Sequence, residues 1–214
     1  MRGRIGLTLL ALALVATACG TRVENRESQG VSFGPVQVSE GGGDIGVTAD
    51  EITIANLADI TGPVPGLFAA AQDGMKAFVG FINSEGGVNG RQLKLTEFDT
   101  NTNATEHRIA TSKACDEAFA IVGSFSVGDN GGAPIGEECG IPNVIDVATS
   151  PQASQAENTI APTPVVPNLW PMGPATYIKK TYPDAIDKAG IISIDNPITL
   201  QQGEKPMKTA EELG

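Results

Sequence analysis

Basic residues, histidine and long apolar runs are scarce in this 214-residue chain, and each scarcity removes a class of function. Fourteen Lys and Arg stand against 25 Asp and Glu, a formal net charge of −11. The basic residues form no cluster, so a phosphate-binding face for nucleic acid or for an anionic membrane surface is excluded. The single histidine, His107, lies between Glu106 and Arg108 in a charged helical stretch, which predicts an exposed side chain. A Ser-His-Asp mechanism would have no other base, so no catalytic residue is expected and the chain does not read as an enzyme. Neither Ser124 nor Ser126 has Gly-x-Ser-x-Gly spacing, and no Gly-Lys-Thr occurs. The glycines from Gly128 to Gly136 fit neither a dinucleotide nor a Walker spacing, so no cofactor is expected and a turn that admits a small ligand is. The run Asp99-Thr100-Asn101-Thr102-Asn103 alternates oxygen-bearing side chains like a calcium loop. It has Ala104 and Ala110 where the loop needs Gly and Glu, so no metal is expected and a capped helix start is.

The longest apolar run is Ile5 to Val15, behind Arg2 and Arg4, too short for a permanent bilayer span. Residues 1–19 read as an export signal. Ala16-Thr17-Ala18 has the small-x-small form of an ordinary cleavage site, but Cys19 follows directly and the arrangement resembles a bacterial lipobox. Lipidation of Cys19 on the outer face of the cell membrane is expected, with simple secretion as the alternative. Three cysteines occur in all. Setting Cys19 aside leaves Cys115 and Cys139 in a chain bound for an oxidising compartment, where a disulfide between them is expected and two buried free thiols are the alternative.

The whole chain is 41% hydrophobic and can bury a core. Residues 20–49, rich in Gly, Ser, Glu and Gln, read as a flexible tether. Residues 50–150 alternate strands and helices. Ile52 to Leu57 is a strand with the loop Asp59 to Pro63 at its end. A helix follows with Pro65 in its first turn, Leu67, Phe68, Ala71, Met75, Phe78 and Ile82 on its core face, and Gly86-Gly87 as its stop. Gln92 to Phe98 is the second strand, and Asn103 with Glu106 caps a helix through Cys115. Ala118 to Gly123 is the third strand, Ser124 to Gly132 a loop, Pro134 to Glu138 a short helix and Pro142 to Val147 a fourth strand. The alternation predicts an α/β fold with a doubly wound parallel sheet and right-handed crossovers. Three small polar loops, Ile60 to Pro63, Ser124 to Ser126 and Ala148 to Ser150, fall at strand carboxyl ends, where such sheets bind ligands. Residues 151–174 hold six prolines and the single Trp, Trp170, and read as an extended crossing. Residues 175–214 begin a second α/β lobe, with a helix at Ala175 to Tyr182, a buried strand at Gly190 to Ile194 and a helix from Lys205. One strand cannot form a stable sheet alone, so the sequence reads as truncated.

The run Leu57 to Asp99 closely resembles the type I periplasmic binding proteins of the branched-chain amino acid uptake family. Thr61-Gly62-Pro63, Gly74-Met75-Lys76-Ala77-Phe78, Ile82-Asn83-Ser84-Glu85-Gly86-Gly87-Val88-Asn89-Gly90-Arg91 and Phe98-Asp99 carry the likeness. It extends through Ala120 to Ser124 and Ile141-Pro142-Asn143 to Ile191. The resemblance implies two α/β lobes, here a first lobe and an incomplete second, that close on a small polar solute. It implies ABC permease subunits as partners, a monomer, and a membrane attachment through the lipid anchor alone. The same lobes could instead report a ligand to a signalling partner. Carried over by position, Thr61 and Gly62 border the cleft. Ser124, with the backbone of Phe125 and Ser126, meets a ligand carboxylate, and Ala148, Thr149 and Ser150 offer a carbonyl and a hydroxyl. Cys115 and Cys139 match a first-lobe disulfide of the family. Asp195-Asn196-Pro197-Ile198-Thr199 lacks the aromatic residue that many members place there, so amides, urea-like solutes and aromatic acids stand beside amino acids as ligands.

Overall fold

The computed structural model of the protein describes residues 44–163, 170–186 and 188–213. The export signal, Cys19, the tether up to residue 43 and residues 164–169 of the expected crossing lie outside the described residues. Among the described residues no helix is long and apolar enough to cross a membrane.

Five parallel strands form one sheet in the order β2-β1-β3-β4-β5. They are β1 (Glu51–Ala58), β2 (Gln92–Asp99), β3 (Ala120–Ser124), β4 (Asn143–Ile145) and β5 (Thr159–Ile160). The helices are α1 (Ala69–Ser84), α2 (Ala104–Glu117), α3 (Asp129–Cys139), α4 (Pro151–Gln155), α5 (Met172–Thr181), α6 (Pro183–Ile186) and α7 (Pro197–Leu213). Residues 151–160, expected as extended crossing, thus hold a short helix and the fifth strand. Strand β1 lies between β2 and β3, so the chain reverses its direction of travel across the sheet at β1, and a crevice opens beyond the carboxyl ends there.

Strand β1 is apolar on both faces, as burial under two helical layers demands. Ile54 packs with Leu93 under Met75, Val79 and Ile82 of α1, whereas Ala55 and Leu57 face Ala110, Ala114 and Ala118 beneath α2. Asn56 interrupts the run and is 0% exposed. Its Nδ2 donates to the carbonyls of Val122 (3.0 Å) and Gly123 (2.8 Å), where the β3–β4 register shifts. Gly123 adopts a φ of 67°, and a Cβ there would lie 2.5 Å from Met75 Sδ, so the bulge requires glycine.

Helix α1 starts at Ala69 rather than at Pro65. The loop first folds back on β1, with Gly66 N–H donating to Ile60 O and Phe68 N–H to Asp59 O. The core stripe is Met75, Val79 and Ile82. Phe78, expected on it, sits roughly 60° around the helix from Met75 and is 46% exposed. The helix ends as expected, with Gly87 N–H reaching Ile82 O (2.9 Å) and Gly86 and Gly87 at positive φ. Asn83 then pairs with Leu93 in both directions, Oδ1 accepting its N–H (2.7 Å) and Nδ2 donating to its carbonyl (2.9 Å). The glycine-rich signature is therefore a turn between α1 and β2 at the far edge of the sheet from the crevice.

Helix α3 begins at Asp129, so Asp129 to Gly132, expected as loop, form its first turn. A Cβ on Gly131 would run into Ala104 O, and one on Gly132 into Thr111 and His107. These glycines let α3 lie close against α2, a packing role in place of the expected ligand turn. The expected strand at Gly190 to Ile194 does not form. The run is irregular, Ile192 is fully exposed, and among the described residues no neighbouring strand offers it a ladder.

Cys115 and Cys139 form the expected disulfide, with Cα atoms 6.2 Å apart across a sequence separation of 24, tying the end of α2 to the end of α3. Replacing both with serine should lower stability by roughly 3 kcal/mol in the chain-entropy account. Urea denaturation of the oxidised, reduced and doubly substituted proteins measures this, and the last two should coincide.

Candidate functional site

The carboxyl edge of the sheet is assembled on two aspartates. Asp59, the first residue after β1, is 0% exposed. Its Oδ1 accepts from Thr100 Oγ1 (2.5 Å), Ser126 Oγ (2.8 Å) and Thr102 N–H (3.0 Å), and its Oδ2 accepts from Val127 N–H (2.9 Å). One carboxylate therefore joins the ends of β1, β2 and β3. Asp99, opposite Ala58 in the β1–β2 register, is exposed and organises the outer loops. Its Oδ1 accepts from the N–H groups of Ile60, Thr61 and Asn101, and its Oδ2 from the Thr61 hydroxyl. Partial burial opposes ionisation of Asp99. The Thr61 hydroxyl and the three N–H groups outweigh it and hold the carboxyl below its ordinary value.

These bonds hold Asn101 and Thr102 in left-handed backbone, at φ 49° and 54°, a costly conformation for a β-branched residue. Asn103 then caps α2, its side chain accepting from Thr105 and Glu106 N–H, which accounts for the calcium-like spacing. Among the described residues no three His, Cys, Asp or Glu side chains gather as a metal site.

The end of β1 and the loops after β3 and β4 are joined at this edge. Phe125 bridges to Ala58 in parallel register, Thr149 Oγ1 donates to Ser126 O (3.0 Å), and Thr149 N–H donates to Asp129 Oδ2 (2.6 Å). The side chains divide into two sets. Ser124 is 3% exposed and its Oγ accepts Leu57 N–H (2.9 Å). Ser126, equally buried, donates to Asp59 and accepts Gly128 N–H (3.0 Å). The Phe125 backbone is held at both ends, its N–H by Leu57 O and its carbonyl by Asp59 N–H. Ser150 caps α4 through Ala153 N–H, and Ala148 is core. These positions build the edge. Thr61 is exposed and Gly62, Phe125 and Thr149 are half-buried. The Phe125 ring stacks on Phe68 at 3.7 Å between centroids.

The start of α7 lies over the same edge. Asn196 Nδ2 donates to Thr102 O (3.1 Å) and Gln202 Nε2 to Thr149 O (2.7 Å). Both bonds present amide N–H groups to carbonyls at the crevice.

His107 is 8% exposed, which corrects the expected surface position. It lies on the face of α2 that packs against α3, one turn before Thr111 and on the stripe of Ala110 and Ala114. Burial pushes its imidazole below the ordinary value, against the raising influence of Asp129 and Asp59. Sequence reasoning also missed Asp59 and Asp129. The signal for Asp59 was a carboxylate placed directly after a strand whose last five residues are all buried.

A family model described as periplasmic binding protein matches residues 51–210. No curated protein sequence matches the chain. Among solved structures, a leucine-binding protein from Thermotoga maritima aligns at 19% identity and a TM-score of 0.60, over 76% of this chain and 46% of that one. A branched-chain amino acid transporter substrate-binding protein from Streptococcus pneumoniae, in complex with isoleucine, aligns at 17% identity and a TM-score of 0.52, over 61% and 38%. A fatty acid ABC transporter substrate-binding protein from Thermomonospora curvata aligns at 14% and 0.56, over 78% and 42%. The alignments span less than half the length of each of these relatives, and at such identities the likeness is one of fold.

Two measurements check the site. Asp59→Ala leaves four buried donors without their acceptor and should lower stability by about 3 kcal/mol or more in urea denaturation. For His107, the unfolded chain takes up a proton more readily than the folded one. Stability contributed by the neutral buried ring is present above the unfolded value near 6.5 and is lost as pH falls through it. The melting temperature should therefore fall from about pH 7.5 to about pH 5, and His107→Gln should flatten that part of the profile.

Proposed function

Because the chain belongs to the periplasmic binding protein family, we propose that it is the exported solute-binding component of an ABC importer. It takes a small polar solute, a branched-chain amino acid or a related amide or acid, at the carboxyl edge of its sheet and delivers it to permease subunits. Cys19 anchors it by lipid to the outer face of the membrane. The observation that carries this reading is the convergence of the loops after β1, β3 and β4 at the sheet's switch point. There a buried framework of Asp59, Ser126 and Asp129 leaves Thr61 exposed and Gly62, Phe125 and Thr149 half-buried.

The chemistry is recognition without bond making. The Thr61 hydroxyl oxygen, the Gly62 backbone and Thr149 supply polar contacts, and the Phe68–Phe125 pair supplies an apolar wall beside them. Ser124, Ala148 and Ser150 act from behind, by fixing the loops. Closure of the second lobe over this edge excludes water and strengthens each hydrogen bond. The contacts of Asn196 and Gln202 with the crevice carbonyls support a ligand that brings N–H groups of its own, as amino acids and amides both do.

A thermal-shift panel of amino acids, amides and aromatic acids tests the proposal. A solute present at a hundred times its Kd should raise the melting temperature by about 5–10 °C. Thr61→Val should weaken that solute about tenfold, and because it also removes the hydroxyl bond to Asp99 Oδ2, the free protein's melting temperature is measured beside it. A panel with no shift, or unchanged affinity in Thr61→Val and Thr149→Val alike, would overturn the assignment.

A further inference from the structure

We propose that the interior of the sheet's carboxyl half holds a single structural water, bound between β3, β4, α2 and α3. A cavity of about 20 Å³ lies there, lined by His107, Thr111, Ser124, Asp129, Asn143 and Ala153 among others. That volume accommodates one water and excludes any organic ligand. Its wall carries two buried oxygens with no partner among the described residues, Asp129 Oδ1 and Asn143 Oδ1. Asp129 is 5% exposed, so bulk solvent does not reach it.

Hydrogen-bond accounting fixes the occupant. The second oxygen of Asp129 is taken by Thr149 N–H (2.6 Å), and Asn143 Nδ2 donates to Thr159 Oγ1 (3.1 Å), so both orphaned atoms are acceptors. Thr111 spends its proton on His107 O (2.9 Å). Ser124 Oγ accepts from Leu57 N–H (2.9 Å), and its own proton has no acceptor among the described residues. A water that donates to Asp129 and Asn143 and accepts from Ser124 makes three bonds, the usual number for a buried water, and satisfies all three groups. It also holds Asp129 in the pose from which its other oxygen fixes Thr149. This inference is independent of which solute the protein carries.

A crystal structure of the whole chain tests it. One peak is expected within hydrogen-bond distance of Asp129, Asn143 and Ser124, unchanged when sodium in the crystals is replaced by rubidium. An empty cavity would overturn the proposal, and so would a peak that gains anomalous signal with rubidium, which marks a cation site. Ala153→Val supplies a test by sign. Its added methyls displace the water and leave two buried acceptors unmet, so the melting temperature should fall by several degrees and magnetic relaxation dispersion should lose one long-lived water. A dry void filled in the same way would raise the melting temperature, and that result would defeat the inference. Should Ala153→Val fail to fold, the density in the unsubstituted protein decides.

Discussion

The carboxyl edge of this sheet depends on the burial of Asp59. A carboxylate removed from water is costly unless every lone pair meets a donor, and here four donors converge on two oxygens. Two come from the loop after β2 and two from the loop after β3. Neither loop can shift without exposing the carboxylate to an unmet neighbour, so the cost of burial becomes a positional constraint on both. Asp99 repeats the device one strand over, in partly solvated form, and ties the loop after β1 to the turn that Asp59 holds from beneath. The left-handed pair Asn101 and Thr102 is the strained link between them. Its backbone N–H groups are donors to the two aspartates, which is why the strain persists.

Behind this edge the packing is set by small residues. Ala55, Ala110, Ala114 and Ala118 fill the layer between β1 and α2, and Gly131 and Gly132 bring α3 close to α2. A core of alanine buries less apolar area per residue than one of leucine, and close approach of backbones compensates by raising contact density. The Cys115–Cys139 bridge closes the far ends of those two helices. The same close approach buries His107, whose ring is flanked by Thr111 and the backbone of α3. A histidine lodged there is held neutral by its surroundings, so the packing of α2 on α3 carries a dependence on pH.

Periodicity and punctuation in the sequence located the first four strands, the glycine stop of α1, the Asn103 cap and the cysteine pair, because each is a local signal. What escaped was settled by partners far along the chain. Asn56 reads as a flaw in an apolar strand until the carbonyls of Val122 and Gly123 stand opposite it. Asp59 reads as a loop residue until Ser126 and Thr100 reach it. His107 was judged by its charged neighbours, although Ala110, Thr111 and Ala114 three, four and seven positions on marked its helix face as buried. The glycines from Gly128 were judged by motif spacing, whereas a close helix contact uses glycine without any motif. Gly190 to Ile194 has the composition of a strand, but composition supplies no ladder, and a strand exists only beside another.

The same reasoning explains which hydroxyls at the edge are buried in the framework and which stay accessible. A serine at the end of a strand faces two demands, one from a backbone N–H of the neighbouring strand and one from whatever enters the crevice. The neighbouring strand is always present, so geometry that brings such an N–H within reach decides the matter before any solute arrives. Ser124 sits beside the Leu57 amide and Ser126 beside the Gly128 amide, and both are absorbed into the framework. Thr61 and Thr149 spend their hydroxyl protons on Asp99 and on the Ser126 carbonyl, but Thr61 is exposed and Thr149 half-buried, so their hydroxyl oxygens keep acceptor capacity that the buried serines have lost. The distinction follows from register, since the β3 bulge at Gly123 carries Ser124 inward to the Leu57 amide and sets Phe125 against the Phe68 ring.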